Sequence, residues 1–93
     1  MNAAIKKDFL IRTIANEKIL IGSGEQINFS KMLMLNDTAV FVIEELQKHS
    51  APVACEMLAE RLSDAYYVDF SDALADVEEL VRHLETLGVV VVS

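Results

Sequence analysis

The chain holds no tryptophan, one cysteine, one proline and three glycines in 93 residues, and only two histidines. A single cysteine, Cys55, cannot close an internal disulfide, so a disulfide scaffold is excluded and a reducing cytoplasm is the expected compartment. His49, His83 and Cys55 do not fall at the spacing of a zinc site, which needs about four clustered ligands. They read as two surface imidazoles and one small core thiol. A nucleophilic Cys55 would need an activating base and a lowered pKa, and its sequence neighbours are apolar. The little glycine present, Gly22-Ser23-Gly24, lacks the following lysine of a phosphate loop and reads as a turn. Asp72 and Asp76 stand four residues apart, but acid–base work would need them in a cleft with shifted pKa values. No enzyme signature remains, and no cofactor or metal is expected.

Long apolar runs are missing too. Nothing approaches the ~18 consecutive apolar residues of a membrane helix. Residues 1–8 carry Lys6 and Lys7 but no clean apolar stretch or small-residue cleavage site, so no signal peptide is expected. What is present is a hydrophobic fraction of 53%, above the ~45–50% of ordinary globular chains. It is spread along the chain as one small domain, residues 1–93.

Charge is unevenly placed. Residues 1–43 are nearly balanced, with a net charge of +1, and residues 44–93 carry −8. An acidic half disfavours nucleic acid, whose phosphates require Lys and Arg. Two readings remain for that half. The carboxylates keep a small hydrophobic domain in solution, or they form a surface complementary to a basic partner.

The organising stretch is residues 31–48. Residues 32–35, Met-Leu-Met-Leu, form an apolar run of the length of one buried strand. Asn36, Asp37 and Thr38 can cap a helix, and a helix follows over 38–48. Its first two turns are apolar nearly all round, which marks a buried helix. Upstream, residues 9–14 and 18–21 read as a hairpin with a loop of about three residues around Asn16. The third strand is 31–35, reached through a polar connection with Ile27 and Phe29 as anchors. Downstream, a second helix is expected over 52–64, with Ser50 as cap and Pro52 in its first turn. A third, over 70–87, is capped by Asp69, carries Ala73, Leu74, Val77, Leu80, Val81, Leu84 and Leu87 at helical spacing, and ends at Gly88. Residues 89–92, four valines, suit either a last strand or an extended tail. The class is α+β: a three-stranded antiparallel N-terminal sheet followed by three helices, winged helix-turn-helix-like. A DNA reader presents Arg, Lys, Asn or Gln from its groove helix. Here the third helix carries Asp72, Asp76, Glu78, Glu79 and Glu85 against Arg82, so DNA reading is not expected.

The pattern resembles the PqqD-like family, also described as RiPP recognition elements. Phe9-Leu10-Ile11-Arg12 is similar to the family's opening strand, and residues 17–21 to its second. Leu35-Asn36-Asp37-Thr38, followed by the apolar Ala39-Val40-Phe41, resembles its most characteristic segment. Residues 58–62, Val68-Asp69, Asp76-Val77 and residues 84–88 fit its helical half. One departure is Ile43, where the family often has Trp, which changes local packing.

The resemblance implies a non-catalytic peptide-binding adaptor, or peptide chaperone, of natural product biosynthesis. In such a domain the leader of a ribosomally made precursor peptide adds as an extra strand and is presented to a modifying enzyme, often a radical SAM maturase. The peptide-binding residues it implies are Lys31, Met32, Leu33, Met34 and Leu35 on the strand. On the third helix they are Asp76, Val77, Leu80, Val81 and Leu84, with Glu79 and Glu85 near the rim. A free sheet edge supplies the backbone groups that such addition uses. The alternative is a winged-helix structural or protein-interaction module without peptide-chaperone activity, which binds a protein partner or pairs with itself as a homodimer.

Overall fold

A computed structural model describes residues 1–22 and 33–93. The elements are β1 (Asn2–Ile5), β2 (Phe9–Ile14), β3 (Glu17–Gly22), β4 (Leu33–Leu35), α1 (Asp37–Gln47), β5 (Val53–Ala54), α2 (Cys55–Tyr66), α3 (Phe70–Thr86) and β6 (Val90–Val92). The α+β class, the antiparallel N-terminal sheet and the three helices are as read from the sequence. Lys31 and Met32 lie outside the described residues, as do the connection through Ile27 and Phe29 and most of the Gly22-Ser23-Gly24 turn.

Two antiparallel sheets of three strands form, ordered β2-β3-β4 and β5-β1-β6. The second corrects the sequence reading. Residues 2–5 pair with 53–54 on one side and with 90–92 on the other, so the valine run is a strand. This sheet also moves the start of α2. Val53 and Ala54 are held extended by Ala3 and Asn2, so the helix begins at Cys55 rather than Pro52 and Ser50 does not cap it. Ala54 at the cap position offers no side-chain bond; the Met1 carbonyl accepts the Cys55 N–H instead, at 2.9 Å. That satisfies one of the donors a helix start leaves open.

The hairpin loop is two residues, not three. Ile14 faces Glu17 across it, and Ala15 and Asn16 have φ of 52° and 67°. Two successive positive φ values define the type I′ turn that matches the twist of a two-residue hairpin. Asp69 takes the cap position of α3 without a side-chain bond, its backbone carbonyl accepting the Ala73 N–H. Gly88 ends α3 as the sequence indicated, with φ 78°. The Val89 N–H reaches the Leu84 carbonyl and the Gly88 N–H the Glu85 carbonyl, the paired bonds of a Schellman motif.

The buried side chains form one cluster. Val42, Ile43 and Leu46 of α1, Leu58 and Leu62 of α2, and Val77, Val81 and Leu84 of α3 meet Ala3 and Leu20 in it. Ile43 is wholly buried, a core residue. At the surface of this core Glu45 is the one buried charged side chain among the described residues. It accepts from Lys48 Nζ at 3.1 Å and from Arg61 Nη1 at 3.4 Å, which ties α2 to α1. Gln47 Nε2 donates to the Phe9 carbonyl at 3.2 Å and ties the end of α1 to β2.

Candidate functional site: the free edge of β4 and the cleft at its end

β4 has one neighbour, β3, so its other side is a sheet edge among the described residues. The register decides which of its groups face outward. In a two-residue hairpin the pair that closes the loop is hydrogen-bonded, and bonded and non-bonded pairs then alternate. Counting from Ile14↔Glu17, the backbone groups of Glu17, Ile19 and Ile21 point to β2, and those of Lys18 and Leu20 point to β4. Lys18 faces Leu35 and Leu20 faces Leu33. Leu33 and Leu35 therefore bond inward to β3, and Met34 carries the outward N–H and C=O.

The side chains alternate as well. Leu35 is buried and Leu33 half-buried against the core, whereas Met34 is 66% exposed. Met34 lies in register with Ile19, which faces Arg12. A strand added at this edge would set alternate side chains beside Met34 on one face and toward Leu33 and Leu35 on the other.

The edge runs into a cleft of about 380 Å³. Asn36, the residue after β4, lines it together with Thr38 and Ala39 from the first turn of α1; Asp76, Glu79, Leu80 and His83 of α3 form the opposite wall. Asn36 is positioned by its own cap, its side-chain oxygen accepting the Ala39 N–H at 2.8 Å. Of the residues implied by resemblance, Leu80 and Asp76 are thus in the cleft and Glu79 stands with them. Val77, Val81 and Leu84 are not on its surface. They are 0% exposed, because their spacing puts them on the stripe of α3 that faces the core, and they support the groove from behind. Glu85 is exposed and does not line it. Sequence reasoning missed Asn36, Thr38, Ala39 and His83 as lining residues. Asn36 was legible as a cap, but local pattern does not show that the start of α1 faces the middle of α3.

Among the described residues, no three His, Cys, Asp or Glu side chains converge as a metal site would require, and no helix is long and apolar enough to cross a membrane. Cys55 is wholly buried, and loss of hydration raises its pKa, the opposite of what a nucleophilic thiolate needs.

Among the described residues, a three-stranded sheet with one edge of β4 unpaired, a cleft at the end of that edge and three helices make up a fold of the RiPP recognition element type. The family model described as Coenzyme PQQ synthesis protein D (PqqD) matches residues 16–90, and the chain belongs to this family. No curated protein matches the sequence. Three solved structures share the fold. The PqqD truncation of Methylobacterium extorquens PqqCD, a solution NMR structure described as a functional and stand-alone RiPP recognition element, has TM-score 0.71 and 18% identity, covering 98% of this chain and 89% of that one. Lasso peptide synthetase B1, complexed with the leader peptide, has TM-score 0.69 and 22% identity, covering 97% and 98%. TbiB1, in complex with the TbiA(beta) leader peptide, has TM-score 0.70 and 15% identity, covering 94% and 93%. At these identities the likeness establishes the fold.

Proposed function

We propose that this domain is a non-catalytic adaptor. It captures the leader of a ribosomally made precursor peptide by strand addition at β4 and presents it to a modifying enzyme, such as a radical SAM maturase. The observation that carries the reading is the outward N–H and C=O of Met34 on a free edge that ends in the Leu80 cleft. Backbone pairing along the edge supplies affinity, and the cleft and the exposed Met34 side chain supply selectivity. The two relatives complexed with leader peptides support the reading by family and fold. The contacts proposed are Leu33, Met34 and Leu35 with Asp76, Glu79 and Leu80. Val77, Val81 and Leu84 act by holding α3 in place, and Lys31 and Met32 are proposed as further peptide contacts.

The test is a titration of the isotopically labelled protein with the precursor peptide encoded beside its gene. Amide shifts concentrated at residues 33–36 and 76–83 are the expected result. A stable self-associated protein that binds no such peptide would support the alternative, a homodimeric interaction module.

A further inference from the structure

α2 ends and α3 begins in a short stretch where apolar side chains face water. Tyr67 is 96% exposed, and Tyr66, Val68 and Phe70 are each more than 40% exposed. Four of the nine large exposed hydrophobics of the described residues fall in these five positions. Tyr67 also sits in the left-handed region, φ 55° and ψ 41°, which a bulky side chain rarely adopts. Its ring lies almost wholly in water.

The stretch is nevertheless held in shape. The Ser63 hydroxyl donates to the Val68 carbonyl, and Tyr66 packs edge-on against Phe41 of α1, ring centroids 5.7 Å apart at 82°. A preordered aromatic patch has less freedom to lose on docking, and tyrosine is enriched where proteins meet. Charge defines the partner. From Leu62 to Val81 the chain has no Lys, Arg or His and six carboxylates. Asp64, Asp69 and Asp72, all exposed, flank the aromatic side chains.

We infer that Tyr67, Val68 and Phe70, rimmed by Asp64, Asp69 and Asp72, dock the adaptor onto its modifying enzyme, in an apolar pocket ringed by lysine and arginine. The choice of the enzyme as occupant rests on the adaptor reading; the chemistry of the pocket rests on the patch itself. The patch is at the N-terminal end of α3, and Leu80 in the leader cleft is ten residues further on, roughly 15 Å along the helix axis. Leader and enzyme therefore bind at separate places on one rigid helix. The carboxylates speed encounter and exclude acidic surfaces, while the rings supply most of the affinity.

The probe is a synthetic amphipathic helical peptide with a leucine face and a lysine face, set against a counterpart with glutamate for lysine. The lysine peptide should shift amides of residues 64–72, bind more weakly as salt rises, and lose at least tenfold in affinity in Phe70→Ser and in Tyr67→Gly. Tyr67→Gly relieves the left-handed backbone, so its loss of binding cannot be assigned to unfolding. Equal binding by these variants, equal binding of the glutamate peptide, or shifts spread over the whole acidic face would each overturn the proposal. The precursor-peptide titration, repeated on Tyr67→Gly, should keep its shifts at Leu33–Leu35. No precursor response in either protein, with the lysine probe still localised to residues 64–72, would count against the adaptor reading and leave the docking surface standing.

Discussion

The Asn36 side chain accepts a hydrogen bond from the Ala39 N–H at 2.8 Å, and this one contact fixes where the edge strand stops and the cleft begins. Asn36 follows Leu35, the last residue of β4, and precedes Asp37, the first of α1. Capping at this point turns the chain from extended to helical with no spacer. Replacement of Asn36 by Ala removes the cap and should lower stability by about 1 kcal/mol, read as a drop in urea midpoint with unchanged slope. Asn36→Asp, which keeps an acceptor at the same reach, should lose far less.

The outward backbone of Met34 separates two proline substitutions. Met34→Pro removes the free donor and no bond to β3, and proline is tolerated on an edge strand. The fold should survive, and precursor-peptide affinity should fall at least about tenfold, ~1.4 kcal/mol. Leu33→Pro instead removes a donor that points to β3, so it should lower stability as well as binding. Thermal melts and peptide titrations of the two variants side by side check the register argument.

The type I′ turn is built from residues poorly suited to it. Ala15 has φ 52°, where a Cβ is strained. The pair Ala15→Asn with Asn16→Gly restores the Asn-Gly sequence this turn prefers. It should stabilise the domain by about 1 kcal/mol, a rise in Tm of roughly 4–8 °C for a domain of this size, and leave peptide binding unchanged.

Burial raises the Cys55 thiol above its ordinary 9.0, with the Met1 ammonium opposing and Glu56 and Glu78 adding to the rise. The folded state holds this proton more tightly than the unfolded one. The linked stability is fully present below pH 9 and is lost as pH climbs through the raised folded value. Melting temperature should therefore fall in alkali more steeply for the native protein than for Cys55→Ala. At pH 8 the native thiol should react slowly with a disulfide reagent and quickly once the protein is unfolded in urea.

Much of this architecture was legible because its signals are local. The β-branched and apolar runs at residues 9–14 and 18–21, the Asn36-Asp37-Thr38 cap, the helical stripe from Ala73 to Leu84 and the stop at Gly88 each depend on neighbours in sequence. The second sheet depends on none. Asn2-Ala3-Ala4-Ile5 has weak strand propensity, and Val53-Ala54 looks like the first turn of a helix after Pro52. Only the closure of residues 2–5 against 53–54 and 90–92 makes them strands. The site divided in the same way. The edge at Leu33–Leu35, like Leu80 and Asp76, was implied by the family resemblance. A stripe seven residues wide does not say which members face a groove, so Val77, Val81 and Leu84 were indistinguishable from Leu80 until burial separated them.

Hydrogen–deuterium exchange at Leu33–Leu35 tests the central claim most directly, because strand addition must occupy the outward amide of Met34. With saturating precursor peptide, exchange at Met34 should slow by at least about tenfold, as an edge amide becomes a ladder amide, with Leu33 and Leu35 changed less. A peptide that binds while the Met34 amide exchanges at its free rate would contradict strand addition at this edge.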